Sequence, residues 1–253
     1  MDINQTVAMI TGGASGMGRA SAELLISLGA KVAILDINQA VCEETANKIG
    51  AIPFTCDVTQ AESVENVIKA IEKQLGTPRI CINCAGVVHG RRMVNQQGPM
   101  PLDEFRKIIE INLIGSFNVM RLIANAMTQL SPLADEERGV IINTASVAAF
   151  EGQIGQTAYS ASKGGIVGLT LPAARELAQF GIRVMTIAPG LVDTPMFEKI
   201  SPEARASLAA SVPFPKRLAK PQEYALLAKA IIENPMLNGN VIRLDGALRM
   251  APK

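Results

Sequence analysis

The sequence lacks an excess of charge of either sign. Lysine and arginine total 24 and aspartate and glutamate total 23, so the formal net charge is +1. Proteins that bind nucleic acids or anionic membranes usually present a basic face, and we therefore expect neither partner. A continuous apolar run of the roughly 18 residues that cross a bilayer is also missing, although 48% of the residues are hydrophobic. These scarcities favour a globular protein without a membrane span.

Cysteine and histidine are scarce as well. Four cysteines in 253 residues do not make a disulfide framework, and a single histidine, His89, is too few for most zinc sites. Cys81 and Cys84 form a C-x-x-C pair, but side chains three positions apart in an extended segment point to opposite faces. We therefore expect neither a metal site nor a redox centre.

A basic leader is missing ahead of the first apolar run. That run, residues 7–10, starts almost at once, after Asp2 and without a preceding arginine. Secretory and transit peptides need room and positive charge at this point. The sequence as given therefore predicts a cytoplasmic protein.

What the sequence does have is a regular alternation of two kinds of segment. The predicted strands are 7–11, 31–35, 53–56, 79–83, 139–144, 183–188 and 241–244. The predicted helices are 19–28, 39–49, 61–75, 102–129, 158–180 and 221–233. Several strands lack polar alternation, which is typical of a parallel sheet covered by helices on both faces. The alternation predicts a single α/β domain over residues 1–253, a doubly wound Rossmann fold with a seven-stranded parallel sheet.

Two connections, 87–101 and 190–220, are too long for simple turns. Both leave the carboxyl ends of predicted strands, where the ligand crevice of an open α/β sheet lies. Long loops in a compact domain usually serve as lids or binding loops. We expect both loops to overhang the crevice.

The first strand runs into a glycine-rich turn, T-G-G-A-S-G-M-G over residues 11–18, and a helical pattern follows. Glycines allow a tight turn and let backbone N–H groups approach a pyrophosphate at the N-terminus of the helix. In this strand–turn–helix context the turn predicts a dinucleotide site. The predicted contacts are Gly12, Ser15, Gly16, Met17 and Gly18.

Acidic residues end the second and third strands. Asp36 can accept hydrogen bonds from the adenosine ribose hydroxyls and repel a 2′-phosphate, and the glycine turn carries no arginine to hold one. This combination favours NAD over NADP. Asp57 and Val58 follow the third strand, where the carboxylate either meets the adenine amino group or begins the next helix.

Tyr159 and Lys163 stand four residues apart, so a helix places them on one face. An ammonium group, together with the positive charge of an oxidised nicotinamide, favours the phenolate and lowers the tyrosine pKa from about 10. The phenolate of Tyr159 could then accept the proton of an alcohol. Ser146, just past a strand end, can hold the reacting oxygen.

Asn112 is either a surface residue or marks a local kink whose freed carbonyl holds a water, since asparagine is a poor helix former.

Together these residues resemble the short-chain dehydrogenase/reductases over the whole chain. Cys84 departs from that family's pattern, because many members have a second asparagine there. The resemblance implies further cofactor contacts after the fourth and sixth strands, with Thr194 at the nicotinamide carboxamide. They are Asn83, Ala85, Gly86, Pro189, Gly190, Val192 and Thr194.

The stretch G-V-I-I-N-T-A-S-V-A-A-F-E-G-Q over residues 139–153 resembles a narrower group, the type-2 3-hydroxyacyl-CoA dehydrogenases, as do 182–191, 212–215 and 231–246. That resemblance implies NAD-dependent oxidation of L-3-hydroxyacyl-CoA to 3-ketoacyl-CoA by a homotetramer. It also implies a catalytic set of Ser146, Tyr159, Lys163 and Asn112, with Gln153 near the acyl-CoA substrate.

Two other activities stay open. An NADPH-dependent 3-ketoacyl-carrier-protein reductase would use the same fold and catalytic set, although Asp36 argues against it. A steroid or other secondary-alcohol dehydrogenase is also compatible with the sequence. Arg91 and Arg92 either meet CoA phosphates or belong to a solvated loop. Apolar residues of the second long loop either line an acyl pocket or pack as a lid, and they are Leu191, Met196, Phe197, Leu208 and Phe214.

Overall fold

The computed structural model describes residues 1–195 and 201–252. Its strands are β1 Val7–Thr11, β2 Lys31–Asp36, β3 Ile52–Thr55, β4 Ile80–Asn83, β5 Val94–Asn95, β6 Gly98–Pro99, β7 Gly139–Thr144, β8 Ile182–Pro189 and β9 Val241–Leu244. Its α-helices are α1 Gly16–Ser27, α2 Gln39–Ile49, α3 Ala61–Gln74, α4 Leu102–Ile109, α5 Gly115–Met127, α6 Thr157–Ala178, α7 Pro202–Ser211 and α8 Pro221–Glu233.

Seven strands form one sheet in the order β3-β2-β1-β4-β7-β8-β9, and every neighbouring pair is parallel. The strand order reverses between β1 and β4, which is where a doubly wound sheet opens its ligand crevice. The predicted Rossmann fold and its seven-stranded parallel sheet are confirmed.

The four central strands β1, β4, β7 and β8 are buried along their whole length. One apolar cluster packs the sheet against α1, α2 and α8, and a second packs the opposite face against α3, α5 and α6. Cys81 belongs to the second cluster while Cys84 packs against the first, so the two thiols do point to opposite faces. Within the described residues no helix is long and apolar enough to cross a membrane.

One predicted element is wrong in form. The helix expected over 102–129 is interrupted: a π-helical segment, Glu110–Ile114, separates α4 from α5. The first long loop also contains structure that was not predicted, because β5 and β6 pair as a small antiparallel hairpin. In the second, α7 occupies the middle of the connection between β8 and α8.

Candidate active site

The turn after β1 is built around two glycines. A Cβ on Gly12, whose φ is +62°, would lie 2.8 Å from the Ala85 nitrogen, and a Cβ on Gly18 would lie 2.3 Å from the Gly12 carbonyl oxygen. Ser15 stands at the N-cap of α1, yet its exposed side chain makes no capping hydrogen bond. The turn therefore leaves the N-terminus of α1 open toward a ligand, a cradle that fits a pyrophosphate.

A cavity of about 380 Å³ lies over this turn and the carboxyl ends of β2 and β3. It gathers most of the residues predicted to contact a cofactor, namely Gly12, Ser15, Gly16, Met17, Gly18, Asp36, Asp57, Val58, Ala85, Gly86 and Thr194. Asp36 Oδ1 accepts a hydrogen bond from the Asn38 N–H at 3.1 Å. Asp57 Oδ1 accepts from the Thr59 N–H and hydroxyl at 2.9 and 2.7 Å, so Asp57 starts the turn into α3 and also lines the cavity.

A second cavity, of about 320 Å³, adjoins the first and shares Met17, Gly86 and Thr194 with it. Seven further predicted residues line it, namely Ser146, Gln153, Tyr159, Lys163, Pro189, Gly190 and Val192. The two cavities thus form one elongated crevice at the carboxyl edge of the sheet.

Helix α6 presents Tyr159 and Lys163 on one face, with the Lys163 Nζ 5.9 Å from the centre of the Tyr159 ring. The Nζ donates a hydrogen bond to the Thr144 carbonyl oxygen at 2.8 Å. Lys163 is only 5% exposed, and burial lowers its pKa to about 8.

Burial acts on Tyr159 in the direction opposite to the one expected from its role. It raises the pKa of the phenol, and interaction with the Ser146 hydroxyl only partly offsets the rise. A lowered Tyr159 pKa is therefore not a property of the protein alone. It stays a prediction for the complex with an oxidised nicotinamide, whose charge would add to that of Lys163.

Ser146 follows β7 and begins a short 3₁₀ turn, Val147–Ala149. Its Oγ accepts a hydrogen bond from the Ala148 N–H at 3.1 Å. Because this bond occupies a lone pair and not the hydroxyl proton, Ser146 can donate that proton to an oxygen held in the second cavity.

Comparison with known proteins identifies the family. A family model described as short chain dehydrogenase matches residues 6–205. The chain belongs to the short-chain dehydrogenase family. It is 52% identical over 250 residues to a 3-hydroxyacyl-CoA dehydrogenase type-2 of Bos taurus, covering 97% of this chain and 96% of the relative. It is 33% identical over 255 residues to a 3-oxoacyl-[acyl-carrier-protein] reductase of Thermotoga maritima, covering 98% and 99%.

A solved structure gives the same result for the fold. The crystal structure of a 3-hydroxyacyl-CoA dehydrogenase type-2 from Mycobacterium avium superimposes with a TM-score of 0.94 at 42% identity, over 98% of this chain and 97% of that one. The site of this short-chain dehydrogenase thus stands on a scaffold close to one already determined.

Asn112 does not lie in the crevice of this short-chain dehydrogenase. It is fully buried in the π-helical segment, so the surface interpretation is wrong and the predicted local distortion is confirmed. Its Nδ2 donates to the Val87 carbonyl oxygen and to Ser162 Oγ, at 2.9 and 3.1 Å, and its Oδ1 accepts from the Val87 N–H at 2.8 Å. Its own carbonyl oxygen accepts from the Ser116 hydroxyl at 2.8 Å.

Asn83 also lies away from both cavities, although it was predicted to contact the cofactor. It is 2% exposed, and its Nδ2 donates to Asn143 Oδ1 at 2.9 Å. Its carbonyl oxygen accepts from the Thr144 hydroxyl at 2.6 Å. Asn83 therefore joins β4 to β7, and the neighbouring Ala85 and Gly86 are the residues that reach the crevice.

Sequence reasoning missed the C-terminal tail of the chain. Met250 lines the second cavity, the Ala251 carbonyl oxygen accepts a hydrogen bond from Gln153 Nε2 at 3.1 Å, and the Pro252 carbonyl oxygen accepts one from the Ile154 N–H at 3.0 Å. The amide of Gln153 thus holds the tail in addition to lining the cavity. No pattern in these irregular final residues pointed to contacts with a loop about a hundred positions earlier.

The proposed apolar lining is only partly present. Leu191 and Leu208 line the second cavity, whereas Phe214 is 81% exposed. Met196 and Phe197 lie outside the described residues. Among the basic residues of the first long loop, Arg91 pairs with Glu104 at 2.6 Å, so this guanidinium is held by α4 and is not simply solvated.

Proposed function

We propose that this short-chain dehydrogenase oxidises L-3-hydroxyacyl-CoA to 3-ketoacyl-CoA with NAD. The observation that carries the proposal is the common exposure of Ser146, Tyr159 and Lys163 to one cavity, next to the cavity over the glycine turn. Relatives named 3-hydroxyacyl-CoA dehydrogenase type-2 that cover nearly the whole chain supply the substrate class.

The chemistry is an alcohol oxidation in which a proton and a hydride leave separately. Ser146 donates a hydrogen bond to the 3-oxygen, and Tyr159 Oη accepts the hydroxyl proton as the C=O bond forms. A bound nicotinamide supplies the acceptor for the hydride that leaves C3. Lys163 would bind the nicotinamide ribose, and its Nζ, 5.9 Å from the centre of the Tyr159 ring, adds positive charge beside the developing phenolate.

Asn112 fits this scheme differently from the expectation drawn from the family. Its side chain holds Val87, which lines both cavities, and Ser162, whose hydroxyl donates to the Tyr159 carbonyl oxygen at 2.7 Å. We propose that Asn112 supports the proton path from Tyr159 through this positioning.

The preference for NAD rests on Asp36. Its carboxylate ends β2 and lines the cofactor cavity, where it would accept hydrogen bonds from ribose hydroxyls and repel a 2′-phosphate. The contacts of Asp57 and Val58 with the adenine, and of Thr194 with the carboxamide, belong to the same proposal.

A carrier-protein reductase is the second candidate, favoured by the similarity to the Thermotoga maritima protein. It differs in cofactor and in the configuration of the alcohol. A steroid or other secondary-alcohol dehydrogenase is a third, because Leu191, Leu208 and Met250 give the second cavity an apolar wall.

Assembly and location are proposals as well. Support for a homotetramer comes from large apolar side chains that α5 and α6 expose, among them Phe117 at 50% and Leu171 at 45%. The cytoplasmic location remains a prediction from the sequence.

The test is to measure initial rates of acetoacetyl-CoA reduction with NADH and with NADPH side by side. We expect turnover with NADH and rates at least about a hundredfold lower with NADPH, because Asp36 would repel the added phosphate. Comparable rates with both cofactors would contradict the role of Asp36 and favour the reductase. No turnover with either cofactor would contradict the proposed substrate.

A further inference from the structure

Tyr224 is a fully buried side chain that the proposed chemistry does not use. It lies in the first turns of α8, and its hydroxyl is 2.8 Å from Thr144 Oγ1. Thr144 is the last residue of β7, and its carbonyl oxygen accepts the hydrogen bond of Lys163 Nζ. A series of hydrogen bonds thus links residues of α8, β7 and α6 and ends at the lysine.

The direction of each hydrogen bond in this series follows from counting the hydroxyl protons of Thr144 and Tyr224. Thr144 Oγ1 also lies 2.6 Å from the Asn83 carbonyl oxygen, which can only accept. The single hydroxyl proton of Thr144 is therefore donated to Asn83, and the bond between the two hydroxyls must use the proton of Tyr224. Tyr224 is the donor that completes the hydrogen bonding of Thr144.

Lys163 depends on Thr144 because its other neighbours offer little to a buried cation. Among the residues that the structure describes, the titratable groups near it are the Tyr159 phenol on α6 and the Cys84 thiol in the turn after β4. Burial raises the pKa of both groups, so neither carries a charge near neutral pH. The Thr144 carbonyl is the polar partner that offsets the loss of water around the ammonium.

We propose that Tyr224 is a positioning residue for Lys163: its hydroxyl fixes the end of β7, and the Thr144 carbonyl there holds the ammonium beside Tyr159. The inference rests on the proposed function, because the role of Lys163 toward Tyr159 belongs to it. Without the Tyr224 hydroxyl, Thr144 is less firmly held and the ammonium is less well stabilised. Less positive charge then stands beside Tyr159, which raises its pKa. The phenolate that accepts the substrate proton therefore forms only at a higher pH.

The experiment is the pH profile of kcat for oxidation of L-3-hydroxybutyryl-CoA at saturating NAD in Tyr224→Phe, which keeps the buried ring. We expect the acid limb to move up by about half a pH unit and kcat at pH 7 to fall about threefold, because each pKa unit is a factor of ten. KM for the acyl-CoA should not change, since Tyr224 does not line either cavity.

A further variant separates positioning from a general loss of buried hydrogen bonding. Thr170→Val breaks another buried hydrogen bond between hydroxyl groups, that of Thr170 with Thr186 at 2.7 Å, and should leave the profile unchanged. An equal shift in Thr170→Val, or an unchanged profile in Tyr224→Phe, would overturn the proposal.

A titration of Lys163 keeps the inference separate from the proposed activity. The ¹³Cε signal of Lys163 in lysine-labelled protein, assigned with Lys163→Arg, reports the pKa of the ammonium without substrate. A lower Lys163 pKa in Tyr224→Phe than in the wild type is expected even if the enzyme fails to oxidise 3-hydroxyacyl-CoA, a failure that would contradict the proposed function alone. Equal pKa values in the two proteins would overturn the positioning role.

Discussion

At Tyr159 two physical effects oppose each other. The phenol must lose a proton to act as a base, yet burial raises its pKa and favours the neutral form. Burial also lowers the pKa of Lys163, to about 8. In the protein alone the neutral phenol is therefore favoured. Binding of a cationic ligand would lower the Tyr159 pKa and favour the phenolate.

Tyr159→Phe removes the proposed proton acceptor and keeps the ring. We expect kcat/KM for 3-hydroxyacyl-CoA oxidation to fall by about a thousandfold, within the range usual for a lost acid–base group. The Kd for NADH, measured by its own fluorescence, should change little. The chain has only two tyrosines, so Tyr224→Phe is the matched control, with a fall of about threefold from its indirect role. Equal losses in the two variants would contradict the assignment of Tyr159.

Asp36→Ala tests the choice of cofactor. Removing the carboxylate abolishes the repulsion of a 2′-phosphate and the acceptor for the ribose hydroxyls. The ratio of kcat/KM with NADPH to that with NADH should therefore rise at least about tenfold. Asp103→Ala, which removes an exposed carboxylate of α4, should leave the ratio unchanged. A ratio unaffected in Asp36→Ala would remove the basis for NAD specificity.

At the scale of elements, the sequence predicted strands better than it predicted interruptions of helices. In an alternating α/β pattern, an apolar run such as 139–144 predicts a strand, and β7 has these bounds. The run 102–129 is equally periodic, so its division by a π-helical segment left no signal in periodicity. Asn112 was the one hint, and its buried hydrogen bonds to Val87 explain why a poor helix former stands there.

Asn112→Ala should destabilise the fold through that segment. The N–H and carbonyl of Val87 would both lose their partner, and we expect the free energy of unfolding to fall by about 2 kcal/mol. Urea denaturation followed by circular dichroism measures the change. Asn125→Ala, at an exposed position of α5, should stay within about 0.5 kcal/mol of the wild type. Similar values for the two variants would mean that Asn112 does not hold the Val87 turn.

At the scale of the whole molecule, burial of Lys163 makes stability depend on pH. The ammonium has a pKa of about 8 in the folded protein and about 10.4 in an unfolded chain. Between these values the unfolded chain binds more protons, so this group makes stability rise with pH. Below pH 8 the cost of burying the charge is fully present.

Lys163→Met should therefore be more stable than the wild type at pH 7, by on the order of 1 kcal/mol, while it loses activity. The difference should shrink as the pH approaches 10, where the wild-type lysine is neutral in the folded protein. Denaturant midpoints at the two pH values check this. A variant less stable than the wild type at pH 7 would indicate that the hydrogen bond to Thr144 outweighs the desolvation of the charge.

The sequence also predicted the site unevenly across the molecule. Motifs at strand ends, such as the glycine turn after β1 and Ser146 after β7, converge on one crevice because parallel strands share a carboxyl edge. Residues that reach the crevice only through tertiary packing, such as Met250 of the tail, carry no local pattern. Asn83 shows the converse, because a residue within a motif can serve the sheet instead of the ligand.

The most direct test of the proposed function compares the two enantiomers of 3-hydroxybutyryl-CoA as substrates with NAD, following NADH absorbance. A 3-hydroxyacyl-CoA dehydrogenase of the proposed kind oxidises the L enantiomer, and we expect the D enantiomer to react at least about a hundredfold more slowly. A preference for the D enantiomer would contradict the proposal and assign the chain to the carrier-protein reductases.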